Sequence, residues 1–326
     1  MKKLEYVAMG NNVINNNEIS NTRKEVVYHA RECVGTCFMC DFIHSIGRTT
    51  RGGTGKGKTR VETPAKIRGY HVCDFHKNVN NCHFSYGFEY FKTSGKPTAK
   101  CISQSLEVEV ENLTLTGLAI MTGDFESAPT SDGSLYGNNA EFKTKIFLSL
   151  QGFTKLCGAI ENCIARGYFS VTDNCGTHLH TSIYRGIDEN GKPIPKHNYT
   201  YLGAGDTYRA LFFPCCRYFN NFTENELIEF FGSGFRYYAK NPINMNNDIY
   251  DYTRIHETIF NVQHTYSLEF RLPRFSTAKR YRNIALFMQE VVTACDLFQS
   301  GEETAENVGQ LILTSAEKHF PVNRLL

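Results

Sequence analysis

Strict alternation of apolar and polar positions marks the strands of this chain. In 105–112, SLEVEVEN, Leu106, Val108 and Val110 point one way and Glu107, Glu109 and Glu111 the other. A period of two is what a strand with two different faces shows. The run 177–184, THLHTSIY, alternates in the same way, and 265–272, TYSLEFRL, reads as a further strand. Residues 113–122 (LTLTGLAIMT) are expected to pair with the first strand, and 142–150 to form another. Elsewhere the period changes. Phe153, Leu156, Cys157, Ile160 and Ile164 fall at helical spacing, and Gly167 closes that helix. Helices are also expected near 206–219 and 223–232, with Thr223 and Glu226 as a capping box for the second. The stretches 277–299 and 303–318 read as amphipathic helices. Strands and helices in this order, without an internal repeat, predict an α+β domain with an antiparallel or mixed sheet packed by helices.

Composition sets few limits. The chain has 326 residues, 41% of them apolar, enough for one large or two modest globular domains. Trp is absent, so 24 Phe and 18 Tyr must supply the aromatic mass of the core. A net charge of +2 restricts any nucleic-acid footprint to a local patch. The N-terminal MKKLEYVAMGNNV has no apolar stretch after its lysines, and no run of eighteen apolar residues occurs. Neither a signal peptide nor a membrane partner is expected, and the expected location is cytoplasmic.

Cysteine use divides the chain. Five of the twelve cysteines lie between Cys33 and Cys82, beside His44, His71, His76 and His83. Cys37 and Cys40 make a C-x-x-C pair, Cys73 and His76 a C-x-x-H pair, and 32 residues separate them. Two knuckles of this kind supply the four N/S donors that tetrahedral Zn²⁺ takes in a closed structural site. The expectation is a zinc-binding segment over 1–100, ribbon-like, ahead of a second domain over 101–326. Cys33, His44, Cys82 and His83 are spare donors. Between the pairs, Gly52-Gly53-Thr54-Gly55-Lys56-Gly57-Lys58-Thr59 matches a phosphate-loop pattern only formally. The residues before it are polar, and Pro64 follows too soon for a helix. Arg48, Arg51, Lys56, Lys58 and Arg60 nevertheless leave the loop 48–60 basic, which reads either as a flexible solvated finger or as a patch that could hold nucleic-acid or nucleotide phosphates.

The second part carries acidic and imidazole motifs on its strands: Glu107 and Glu109, with Glu111 continuing the row; Glu141 after the Asp132-Gly133-Ser134 turn; His178 and His180; Glu269 and Arg271. Singly, each motif is what a solvated strand face or a local ion pair shows. Together they supply oxygen ligands for Mg²⁺ and an arginine for phosphate. Cys175 reads as a buried thiol before a strand rather than a nucleophile, and Cys215 and Cys216 as core.

The order of these motifs resembles the amidoligase family of carboxylate–amine ligases, which have a glutamine synthetase-like fold. The resemblance runs over roughly 101–300. It rests on Glu107-Val108-Glu109, on Asp132-Gly133-Ser134-Leu135 with Glu141, on Cys175-Gly176-Thr177-His178-Leu179-His180, and on Leu268-Glu269-Phe270-Arg271. It implies ATP as cofactor and Mg²⁺ held by Glu107, Glu109, Glu141, His178 and Glu269. Arg271 would face the transferred phosphoryl group, and His180 the nucleotide or substrate. The implied reaction is amide-bond formation between a carboxylate and an amine through an acyl phosphate. The implied partners are small-molecule, peptide or protein substrates, with a homo-oligomer compatible. The first motif departs from the family's G-V-E-x-E, so its register stays open between Glu107/Glu109 and Glu109/Glu111. The alternative is a zinc-containing nucleic-acid-binding protein whose ligase-like domain is inactive.

Overall fold

The computed structural model describes residues 66–67, 70–71, 101–121, 127–130, 135, 138–187, 193–236, 239–244 and 257–322. The zinc candidates Cys37, Cys40, Cys73 and His76, the basic loop 48–60 and the turn Asp132-Gly133-Ser134 lie outside these residues. The architecture is α+β. Six α-helices and an antiparallel sheet are present among the described residues.

The chain forms two compact units. The first comprises Met1–Tyr90, Glu109–Thr144 and Cys163–Cys175; the second Phe91–Val108, Lys145–Asn162 and Gly176–Leu326. In the first unit, β1 (Lys66–Ile67) and β2 (Tyr70–His71) pair antiparallel. β3 (Cys101–Val110) ends here, and α1 (Leu115–Ala119) follows where a partner strand was expected. The L-T-L-T alternation mimics a strand, but Thr114 caps a helix by accepting from the Gly117 amide at 3.1 Å. Its hydroxyl also donates to the Tyr168 carbonyl at 2.9 Å. Gly117 permits this close approach, since a Cβ there would lie 2.7 Å from the same carbonyl oxygen. β4 (Ala128–Thr130) and β5 (Ala140–Lys143) pair antiparallel. The strand expected at 142–150 is therefore shorter and earlier. Past it, Phe147 only bridges Gln104, and Ser149 accepts from the Gly152 amide at 3.1 Å, turning the chain into α2 (Leu150–Ala165). After α2, Gly167 takes φ +67, as the sequence led one to expect of a helix stop.

The second unit carries the sheet order β3-β6-β9-β8, with β7 (Pro193–Pro195) beside β6. β6 covers Thr177–Ile187, β8 Phe260–Asn261 and β9 Leu268–Phe270, only the middle of the run read from sequence. Every strand pairing in it is antiparallel. α3 (Gly205–Asn220) and α4 (Glu224–Phe231) fall where expected, and the Thr223/Glu226 capping box is formed. α5 (Ala278–Gln299) and α6 (Ala305–His319) complete the unit.

The core of this unit is phenylalanine. Phe212, Phe219, Phe231, Phe260, Phe270 and Phe287 are fully buried, and Phe320 joins them from the end of α6. Ring pairs such as Phe219–Phe231 (5.1 Å, edge-to-face) and Phe212–Phe260 (4.9 Å, stacked) fill the space between sheet and helices. Each such ring stabilises the fold by roughly 1.5–3 kcal/mol over an exposed one. Cys215 and Cys216 are fully buried fillers, their thiols pushed well above the ordinary range by burial.

One helix contact is specified by two residues far apart in sequence. Pro214 lies inside α3 and has no amide for the Ala210 carbonyl four residues earlier. Gly309 of α6 packs its backbone onto that same carbonyl, and Pro214 is next to it. A Cβ at 309 has no room. Gly309→Ala is expected to cost about 1–3 kcal/mol through helix displacement. Thermal unfolding checks this; an unchanged Tm would remove the crossing from the account.

Candidate functional site

Register brings the motifs of three strands into one place in the second unit. Glu107 of β3 is the direct cross-strand partner of His178 on β6. His180 of β6 is the partner of Glu269 on β9, and Asn261 of β8 pairs Glu269 from the other side. Leu106, Val108, Leu179, Leu268 and Phe270, which alternate with them, are buried on the opposite, helix-packed face. A slip of one residue would drive the charges into that core, so burial fixes the register.

At the centre is Glu269, whose carboxylate has no exposed surface. Its Oε1 accepts from Arg271 Nη1 at 2.9 Å and lies 3.0 Å from His178 Nδ1. Its Oε2 accepts from Asn261 Nδ2 at 2.5 Å and from His264 Nε2 at 2.9 Å. Burial alone would raise this carboxyl. Arg271, His178 and His264 outweigh it and hold the pKa well below the usual carboxylate range. For His178, burial and the Arg271 charge both disfavour protonation. Glu107 and Glu269 overcome them, lifting the ring to about 9. His264 is shifted upward as well, Glu269 prevailing over burial.

Glu107 completes the group. Its Oε2 lies 3.7 Å from His178 Nδ1 and its Oε1 3.6 Å from His180 Nε2. His180 Nδ1 is 3.0 Å from Ser267 Oγ, and its ring stands edge-on to His264 at 5.2 Å. Ligand atoms of Glu107, His180 and Glu269 all fall within 4.8 Å of one another, a spacing from which one cation would draw them together.

Of the residues read from sequence, Glu107, His178, His180, Glu269 and Arg271 therefore meet. The register sets Glu107, rather than a later glutamate, opposite His178. Glu109, Glu111 and Glu141 belong to the first unit. There Glu111 accepts from the Thr172 hydroxyl at 2.8 Å, Glu109 is buried, and Glu141 lies 3.4 Å from Lys143 Nζ. Cys175 is buried with its thiol raised, chiefly by burial, so it is no ready nucleophile.

Sequence reasoning missed Asn261, His264 and Ser267. Ser267 shares the parity of Glu269 and Arg271 and was within reach of the alternation argument. Asn261 sits on a two-residue strand and His264 on the loop after it, where no periodicity operates.

No family model, curated protein or solved structure matches the chain. Among the described residues no helix is long and apolar enough to cross a membrane.

The two carboxylates respond differently to mutation. Removing the Glu269 carboxylate strands Arg271 and His178 beside each other in a buried place. Glu269→Ala is expected to cost about 3–5 kcal/mol and to lower Tm sharply. Glu107, partly exposed, should tolerate Gln with a loss of about 1 kcal/mol or less. Equal Tm losses in the two variants would contradict this assignment of Glu269 as the buried anchor.

Proposed function

We propose that this chain is an ATP- and Mg²⁺-dependent carboxylate–amine ligase whose second part has a glutamine synthetase-like arrangement. The observation that carries the reading is the cross-strand register Glu107–His178 and His180–Glu269, with Arg271 two residues on. Three motifs separated by some seventy to ninety residues each land on one patch of one sheet face. A solvated strand face has no reason to align them, and a buried one needs a counter-ion for its carboxylates.

The charge balance sets the terms on which the site would bind a ligand. Two carboxylates face Arg271 and a His178 that favours its protonated form, so the cluster balances its own charge without a ligand. A divalent cation adds positive charge that the phosphates of ATP would offset. The donor set fits both: carboxylate and imidazole for the cation, guanidinium for a phosphoryl oxygen. When bound, Mg²⁺–ATP supplies the activated phosphoryl group. The chain's own part is positional. Glu107, Glu269 and His178, the last on giving up its proton, would hold the cation, and Arg271, fixed by Glu269, would neutralise charge on the transferred group. His180 would stand toward the nucleotide or substrate. Glu109 and Glu141 are proposed as further Mg²⁺ ligands on the resemblance of their motifs alone. The zinc set Cys37, Cys40, Cys73 and His76 is proposed as structural.

An acyl phosphate is captured by hydroxylamine as a hydroxamate. Full-length protein incubated with ATP, Mg²⁺, hydroxylamine and a panel of amino-acid and peptide carboxylates should form hydroxamate and ADP together. Glu107→Gln should reduce the yield at least a hundredfold while remaining folded. Retention of full yield by that variant would place any turnover elsewhere in the protein.

A further inference from the structure

The sheet face that carries the cluster changes character along its strands. Glu107 and His178, cross-strand partners, make a charged row with Arg271 just past β9. The next row is Ser105, His180 and Glu269, paired in that order across β3, β6 and β9. After it come Ser103 and Ser182, again partners, with Ser267 on the Glu269 side of them, and then Cys101 and Tyr184. Successive rows lie roughly 7 Å apart, two residues along a strand. Beyond His180 and Glu269 the face therefore presents hydroxyls and a thiol, and no charged side chain. Tyr199 reaches the same end from the turn after β7, where its hydroxyl accepts from the Ile183 amide at 3.0 Å. Burial pushes the Tyr184 phenol up to about 12 and raises that of Tyr199 as well, so both stay neutral.

Two hydroxyls in these rows have unmet capacity. Ser105 is partly exposed, and its side chain has no hydrogen-bond partner among the described residues. Ser182 is buried. Its Oγ lies beside the phenols of Tyr184 and Tyr199, yet makes a hydrogen bond of proper geometry with neither. Folded chains leave few buried hydroxyls in that state, and a ligand is one thing that completes them. Ser267, 3.0 Å from His180 Nδ1, is also partly exposed, so the row opens to solvent at Ser105 and Ser267 and is closed behind them.

We propose that Ser105, with Ser267 and Ser182, recognises a neutral hydrogen-bonding group on the acid substrate, whose carboxylate lies at the charged row beside Arg271. The substrate class is a carboxylic acid with a carboxamide or hydroxyl roughly 7 Å from its carboxylate, one row away. This deepens the ligase reading and rests on it. A charged end would be left without a counter-ion among the hydroxyls. An apolar end would leave Ser105 and Ser182 unpaired, and a site built to hydrogen-bond a group rejects the analogue that lacks it.

Four five-carbon acids that differ only in their far end test this: glutaramate, glutarate, 5-aminopentanoate and pentanoate. Their affinities are read by ligand-observed nuclear magnetic resonance on the full-length protein, with Mg²⁺ and a non-hydrolysable ATP analogue present. Glutaramate should bind at least tenfold tighter than each of the other three. Ser105→Ala should remove that advantage while pentanoate binds as before, and Ser105→Thr, which keeps a hydroxyl, should retain it. Equal binding of glutarate or pentanoate, binding of none of the four, or an undiminished preference in Ser105→Ala overturns the proposal. Hydroxamate formation separates this from the ligase reading. Hydroxamate made from glutarate as readily as from glutaramate upholds the ligase and overturns the serine row. Selective glutaramate binding without hydroxamate from any acid upholds the serine row as a recognition site and overturns the ligase.

Discussion

A carboxylate taken wholly out of water must be matched by donors, and Glu269 is matched by four of them. Arg271, His178, Asn261 and His264 come from two strands, the position just past β9 and the loop after β8, and all converge on its two oxygens. The desolvation penalty of a lone buried carboxylate is several kcal/mol, and these partners together offset it in the resting structure. The same constraint organises the sheet. β6 and β9 can align only in the register that sets His180 against Glu269, and β8 only in the one that delivers Asn261.

Packing on the opposite face acts in the same direction. Leu179, Leu268 and Phe270 are excluded from water by the phenylalanine-rich core against the helices. That burial and the buried carboxylate select one register from two sides, which is why a polar cluster can persist in a sheet without loosening it. The resting site is therefore rigid at Glu269 and more open at Glu107 and His264, whose side chains keep some exposure. Such a division would suit the proposed site, which would admit a cation and an anionic partner without rebuilding its base.

Much of this was legible in the sequence, for definable reasons. Glu107, His178, His180 and Glu269 sit on strands with two distinct faces, Arg271 follows β9 by one residue in the same parity, and period two reports them directly. Thr223 with Glu226, Gly167 and the long amphipathic α5 are equally local signals. The misread elements share a cause. In 113–122 a short L-T-L-T run satisfies a strand pattern, while the deciding facts are the local Thr114 cap and two tertiary contacts, the Thr114 hydroxyl on the Tyr168 carbonyl and the close approach of Gly117 to it. β4, β7 and β8 are two or three residues long, too short for a period to appear. Asn261 and His264 depend on such a strand, so their place beside Glu269 emerges only from pairing.

The central claim is that this strand-lined cluster binds a nucleotide through a divalent cation. Calorimetric titration with a non-hydrolysable ATP analogue, with and without Mg²⁺, tests it most directly. The account predicts binding that requires the cation and is lost in folded Glu107→Gln. A well-folded protein that binds no nucleotide, or one whose binding survives that substitution, contradicts it.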